Sequence, residues 1–182
     1  MEVRRVVAGI DERGRSVILS DGPAPHNHDF ASMPGQSQTR IWFTDGPPTT
    51  TTPAAAEPTT ATGPVLPRTG GASFVIVRFA PDSVAQDARF EPARAAAEFA
   101  EFAPDIAAAS DPHEPGMHRT ATVDYGVVLD GEIWLEVDAG AQTCLRAGDT
   151  IVQIAGRHAW RNKTDRPATV AFILTGADDT SS

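Results

Sequence analysis

The run Met117-His118-Arg119-Thr120-Ala121-Thr122-Val123-Asp124-Tyr125-Gly126-Val127-Val128-Leu129, the turn pair Asp130-Gly131 and the run Glu132-Ile133-Trp134-Leu135-Glu136-Val137 together decide the fold. β-Branched and apolar residues dominate both runs, and Asp-Gly between them is a tight-turn signal, so they read as an antiparallel hairpin. Side chains alternate faces along a strand. In an unbroken register His118, Thr120, Thr122, Asp124, Gly126 and Val128 share one face, and Tyr125 and Val127 take the other. Downstream, Gln142 to Leu145, Thr150 to Ile154, His158 to Asn162 and Ala168 to Thr175 repeat the pattern, separated by Ala139-Gly140, Ala147-Gly148-Asp149 and Asp165-Arg166-Pro167. Short strands at this spacing predict an all-β sandwich or barrel.

Upstream, Val3 to Ile10 and Ser16 to Ser20 form a second hairpin about Gly14. A loop carrying His26 and His28 follows, then a short strand over Thr39 to Thr44. Residues 46–70 are dense in threonine and proline and read as a flexible insertion. Ser73 to Ala80 is a strand by its β-branched and aromatic content. Residues 90–109 turn to Ala, Glu and Phe, predicting one or two short helices with Pro92 in a first turn and Pro104 at a break. Phe99 and Phe102, spaced i,i+3, read as a packing stripe on that segment. The chain is one domain over residues 1–182, with its core barrel over about 73–177.

Composition narrows the function. Of 182 residues, 24 are acidic and 15 basic, a net charge of -9 that repels nucleic-acid phosphates and anionic lipid. Nucleic acid and membrane are therefore not the expected partners; a small-molecule substrate is. Cys144 is the single cysteine, so neither an internal disulfide nor a multi-cysteine zinc site exists. No run approaches 18 apolar residues and no secretion signal is readable, which points to a cytoplasmic location.

The motifs resemble those of the cupin superfamily, G-x5-H-x-H-x3,4-E-x6-G and G-x5-P-x-G-x2-H-x3-N. His118 stands at the first histidine and Asp124 at the glutamate, and six residues lead from Asp124 to Gly131. Gly148 opens the second motif, in which His158 and Asn162 keep their spacing. Thr120 replaces the second histidine, Pro112 the opening glycine and Ile154 the proline, and the loop from Gly156 to His158 is one residue short. The resemblance covers Pro112 to about Ala177. It implies a jelly-roll-like antiparallel β-barrel, with an N-terminal strand extension and a short helical segment, and a homodimer.

The candidate catalytic residues are His118, His158 and Asp124. Two imidazoles and a carboxylate can hold one divalent metal, iron or zinc, with open positions. Without metal the same groups suit proton transfer, as in a dehydratase, isomerase or cyclase acting on an oxygenated metabolite. Three readings stand: a proton-transfer enzyme, a metal-dependent oxygenase or decarboxylase, and a binding protein without catalysis. No nucleotide cofactor is expected. Candidate substrate-binding residues are Thr120, Gln153, Trp160, Tyr125 and Trp134: Gln153 orients substrate or His158, or else caps a sheet edge; the tryptophans form core or an aromatic wall; Tyr125 is an acid only if a bulge turns it inward. His26 and His28 read as a solvated pair, and His113 as part of an exposed loop.

Overall fold

The computed structural model describes residues 2–49 and 57–178. β1 (Arg4–Ile10) and β2 (Ser16–Pro23) form the N-terminal hairpin, whose turn is fixed by the Asp11 carboxylate accepting the backbone N–H of Arg13 and Arg15, each at 2.9 Å. β3 (His26–Asp29), β4 (Ser37–Thr44) and β5 (Ala72–Phe79) lead to three short helices, α1 (Ser83–Gln86), α2 (Pro92–Phe102) and α3 (Pro104–Ala108). The barrel then continues as β6 (Thr122–Asp130), β7 (Glu132–Val137), β8 (Gln142–Arg146), β9 (Thr150–Ile154), β10 (His158–Arg161) and β11 (Ala168–Gly176).

The strands make a six-stranded sheet in the order β3-β4-β5-β11-β6-β9, a three-stranded sheet β10-β7-β8 and the separate pair β1-β2, each pairing antiparallel. The larger sheets pack through Val128, Val170 and Phe172 on one side and Ile133, Leu135 and Leu145 on the other, the facing arrangement of a jelly-roll-like barrel. The β6–β7 turn depends on Gly131, which has φ +79°; a Cβ there would stand 2.9 Å from Ala168 Cα. On β6, Gly126 faces inward beside Ile151 and Phe172, and bare backbone at that point lets the Phe172 ring lie against the sheet. On the outer face Ile173, Tyr125 and Val152 form a row across β11, β6 and β9 and are exposed.

Three expectations change. β6 begins at Thr122, not Met117, because the chain from Ser110 to Ala121 turns at Gly116 and its strand-type pairing is confined to the isolated bridges of His118 with Ser110 and His158. The predicted loop at His26 and His28 is β3, paired with β4, and His28 is partly covered instead of fully solvated: its ring stacks on Phe102 at 4.7 Å. Of the insertion at 46–70, residues 50–56 lie outside the described residues, while 57–70 is packed rather than loose. Val65 is buried in the core, and the Asp105 carboxylate accepts the N–H of Val65 and Leu66 at 2.7 and 2.6 Å. The buried Arg40 guanidinium donates to the carbonyls of Gly63, Pro64 and Phe102. Two charged side chains thus satisfy a backbone that has no strand partner, which composition does not reveal.

The helical segment lies against the β3–β4 end of the barrel. Glu98 of α2 accepts the N–H of Ala31 and Ser32, both at 2.8 Å, and also meets the Ser32 hydroxyl and His28 Nε2. Phe99 and Phe102 pack on Phe30, with Phe102 fully enclosed. At the opposite turn Asn162 is buried, donating to the carbonyls of Phe79 and Arg166 and accepting from the N–H and hydroxyl of Thr164. Among the described residues no helix is long and apolar enough to cross a membrane.

Candidate functional site

A cavity of about 490 Å³ opens between the inner face of the six-stranded sheet and β10. Its wall is largely apolar, with Val75, Val77 and Phe172 from the sheet and Phe30 and Phe99 from the helical end. His118, Asp124, Gln153, His158 and Trp160 are also on this wall. Register explains their meeting: Asp124 on β6 pairs with Gln153 on β9, and the backbone of His118 exchanges hydrogen bonds of 2.9 and 3.0 Å with that of His158 on β10. The two imidazole rings are 4.2 Å apart between centroids and tilted by 53°.

The hydrogen bonds assign the protons. His118 Nδ1 lies 3.0 Å from the Gly116 carbonyl and His158 Nδ1 lies 3.0 Å from the Gly156 carbonyl. A carbonyl oxygen only accepts, so each Nδ1 donates and the basic lone pair of each neutral ring is left on Nε2. The Gln153 NH2 group donates to the same Gly156 carbonyl at 3.2 Å and so shares that acceptor with His158 Nδ1. Burial, then the charge of the neighbouring His118, push His158 down to about 4, against the Gly156 carbonyl, which favours the cation. His118 is lowered by burial, opposed by Gly116. Asp124 moves the other way: burial raises it to about 6, with the Thr122 hydroxyl opposing, and its Oδ1 is buried without a hydrogen-bond partner. The site thus joins neutral imidazoles to a carboxyl group that holds its proton into the mildly acidic range.

Three sequence candidates lie elsewhere. Tyr125 is half exposed on the outer face, opposite Val152 and Ile173, as strict alternation on β6 requires. Trp134 belongs to the outward side of β7, where Lys163 stands over its ring at 5.5 Å; its even-numbered neighbours Glu132 and Glu136 were the signal for that orientation. Thr120 is buried but its hydroxyl meets that of Thr122 at 2.8 Å, and it is not on the cavity wall. His113 is exposed and off the wall.

Among the described residues no three His, Cys, Asp or Glu side chains converge as a metal-holding group. The metal set His118, Asp124 and His158 has suitable donor types, but with Thr120 turned to Thr122 and the imidazoles packed on each other, the three do not fit a metal as a unit. Sequence reading also missed Gln38, a buried amide on β4 at the far end of the cavity, and the aromatic cover from Phe30 and Phe99. No motif marks Gln38, and the strand expected over Thr39 to Thr44 starts after it, whereas β4 begins at Ser37 and is buried continuously through Ile41.

No family model matches the chain. Among curated proteins, a stretch of 49 residues is 51% identical to "Oryzines biosynthesis cluster protein J" of Aspergillus oryzae, covering 27% of each chain. A stretch of 82 residues is 34% identical to "Cupin-domain-containing oxidoreductase fogC" of Aspergillus ruber, covering 43% of this chain and 37% of that one. The chain thus spans less than two-fifths of the length of these relatives. A solved RmlC-like cupin from Shewanella frigidimarina aligns over 85% of this chain and 86% of its own at 12% identity, with a TM-score of 0.43.

Proposed function

We propose, for a chain whose fold is that of the cupin superfamily, that the cavity is the active site of a small-molecule enzyme that moves a proton beside an oxygen-bearing carbon, as an isomerase, dehydratase or cyclase does. One observation carries this reading: His118 and His158 in ring contact, beside an Asp124 whose buried Oδ1 has no partner, at one end of an apolar cavity. His158, neutral with its lone pair on Nε2, removes a proton from carbon. Asp124 in its acid form donates to the developing oxygen charge, and the reverse transfer returns both protons. Exclusion of water by the apolar wall strengthens both interactions.

The test is deuterium incorporation in D2O at the carbon next to the carbonyl of α-tetralone, a neutral cyclic ketone, followed by NMR. Wild type should exchange that position above the buffer rate, and His158→Ala and Asp124→Asn should each lose on the order of 100-fold or more. Exchange equal to buffer in wild type, or unchanged in both variants, would overturn the proposal.

Several relatives are named cupin-domain-containing oxidoreductases, which supports a second reading, an oxidoreductase, whose metal-dependent form is open to a direct test. It requires about one equivalent of iron or zinc to be retained by wild type and lost in His118→Ala and His158→Ala, measured by elemental mass spectrometry. Saturable binding of ketone with neither exchange nor metal would leave the third reading, a binding protein.

A further inference from the structure

We infer that the cavity takes an elongated, uncharged and mostly apolar molecule with a hydrogen-bonding group at each end, one at the imidazoles and one read by the Gln38 amide. This inference rests on the reading of the cavity as a substrate site and adds the class of molecule that fills it.

Gln38 is 8% exposed and on the cavity wall, and its amide makes no hydrogen bond to any described residue. Of the other polar groups at that end, the Gln36 Oε1 accepts the N–H of Ala80 at 2.9 Å, and the Ser32 hydroxyl meets Glu98. Its amide atoms open onto the cavity instead of being sealed in the interior, so a molecule that fills this end must replace the hydrogen bonds that water would otherwise make with Gln38.

The sheet order and register put Gln38 and Asp124 at opposite corners of the inner face. β4 is three places from β6, a span on the order of 14 Å at the usual strand spacing. The row from Gln38 runs through Val77 and Val170 to Val128, four residues along β6 from Asp124, or roughly 13 Å. Between these corners lie Val75, Val77 and Phe172, which offer no hydrogen bond from their side chains. Sheet curvature and the reach of Gln38 shorten the gap, but a compact molecule touches only one corner.

Charge sets the rest. Arg161 is the one cationic residue on the cavity wall among the described residues, and its guanidinium is held by Glu136 at 2.6 Å and the Pro115 carbonyl at 2.8 Å. A carboxylate or phosphate entering the cavity would lose water without gaining a free counter-charge.

Calorimetric titration with three rigid probes tests this: trans-4,4′-dihydroxystilbene, trans-4-hydroxystilbene and trans-stilbene-4-carboxylate, against wild type and Gln38→Met. The diol should bind wild type about three- to tenfold tighter than the mono-ol, the worth of one neutral hydrogen bond. The carboxylate should bind at least about tenfold more weakly than the mono-ol. Gln38→Met, close in shape but apolar, should erase the preference for the diol and leave the mono-ol unchanged. Equal binding of diol and mono-ol by wild type overturns the inference without any variant, and so does a preference that survives Gln38→Met. Carboxylate binding as tight as the mono-ol overturns the uncharged class. Failure of all three probes to bind overturns the cavity as a substrate site as well, and so separates the two claims.

Discussion

Glu98→Gln isolates the contact that fixes α2 to the barrel. The Glu98 carboxylate accepts two backbone N–H groups at 2.8 Å and meets the Ser32 hydroxyl and His28 Nε2. Burial alone would raise its pKa, but the Ser32 hydroxyl and amide, the Ala31 amide and His28 together hold it down at about 2 from 4.5. That depression corresponds to roughly 3 kcal/mol of preference for the ionised form in the folded state. With the side chain 18% exposed, solvent trims the usable part to about 2 kcal/mol. A glutamine keeps the shape, loses the charge and turns its NH2 group toward N–H donors. At pH 7 the variant should be about 2 kcal/mol less stable, a fall of roughly 4–8 °C in melting midpoint. Because the folded-state pKa lies below the unfolded one, the wild-type advantage is complete above about 4.5 and fades as the pH falls toward about 2. Circular-dichroism melts of both proteins from pH 7 to pH 3 provide the measurement. A constant gap across that range, or none at pH 7, would refute the argument.

Two further outcomes are expected. Deuterium wash-in should follow a bell-shaped profile: it falls as the pH drops through about 4, where His158 protonates, and as the pH rises through about 6, where Asp124 ionises. A rate that keeps climbing above pH 7 would rule out Asp124 as the acid. Asn162→Ala removes four hydrogen bonds at the β10–β11 turn and takes a donor from the Phe79 and Arg166 carbonyls, the latter keeping the Thr164 hydroxyl, so thermal melts should show a loss of about 2–3 kcal/mol; under 1 kcal/mol would show that the turn holds without it.

Much of the barrel could be read from the sequence because its strands obey local rules. From Glu132 to Ala177 alternation and turn residues fix the element ends to within a residue or two, and Asp130-Gly131 sits where only a glycine fits. Alternation placed Asp124 inward on β6, whereas His118 precedes the strand and reaches the same cavity through its bridge to His158, not through the unbroken register expected of it. What escaped depends on distant partners. Residues 57–66 look like linker until Arg40 and Asp105 take up their backbone groups, and Glu98 looks like a solvated helix residue until β3 and Ser32 reach it. His28 carries no mark of burial, because Phe102 covers it from 74 positions away. Trp134, by contrast, was misplaced against its own local signal, since Glu132 and Glu136 share its face.

The bare backbone at Gly126 acts as a gauge on the width of the cavity. A single methyl group there would come within 2.7 Å of Ile151 and 3.1 Å of the Phe172 ring, which already lies 5.2 Å from the Trp160 ring across the bore. A side chain at 126 must displace Ile151, its nearer neighbour, or the Phe172 ring, both of them on the cavity wall, while the hydrogen bonds that orient His118 and His158 come from Gly116 and Gly156. Calibre and imidazole orientation are thus set by different residues, and the width of molecule admitted can be retuned by one atom without touching the carbonyls that orient the two rings.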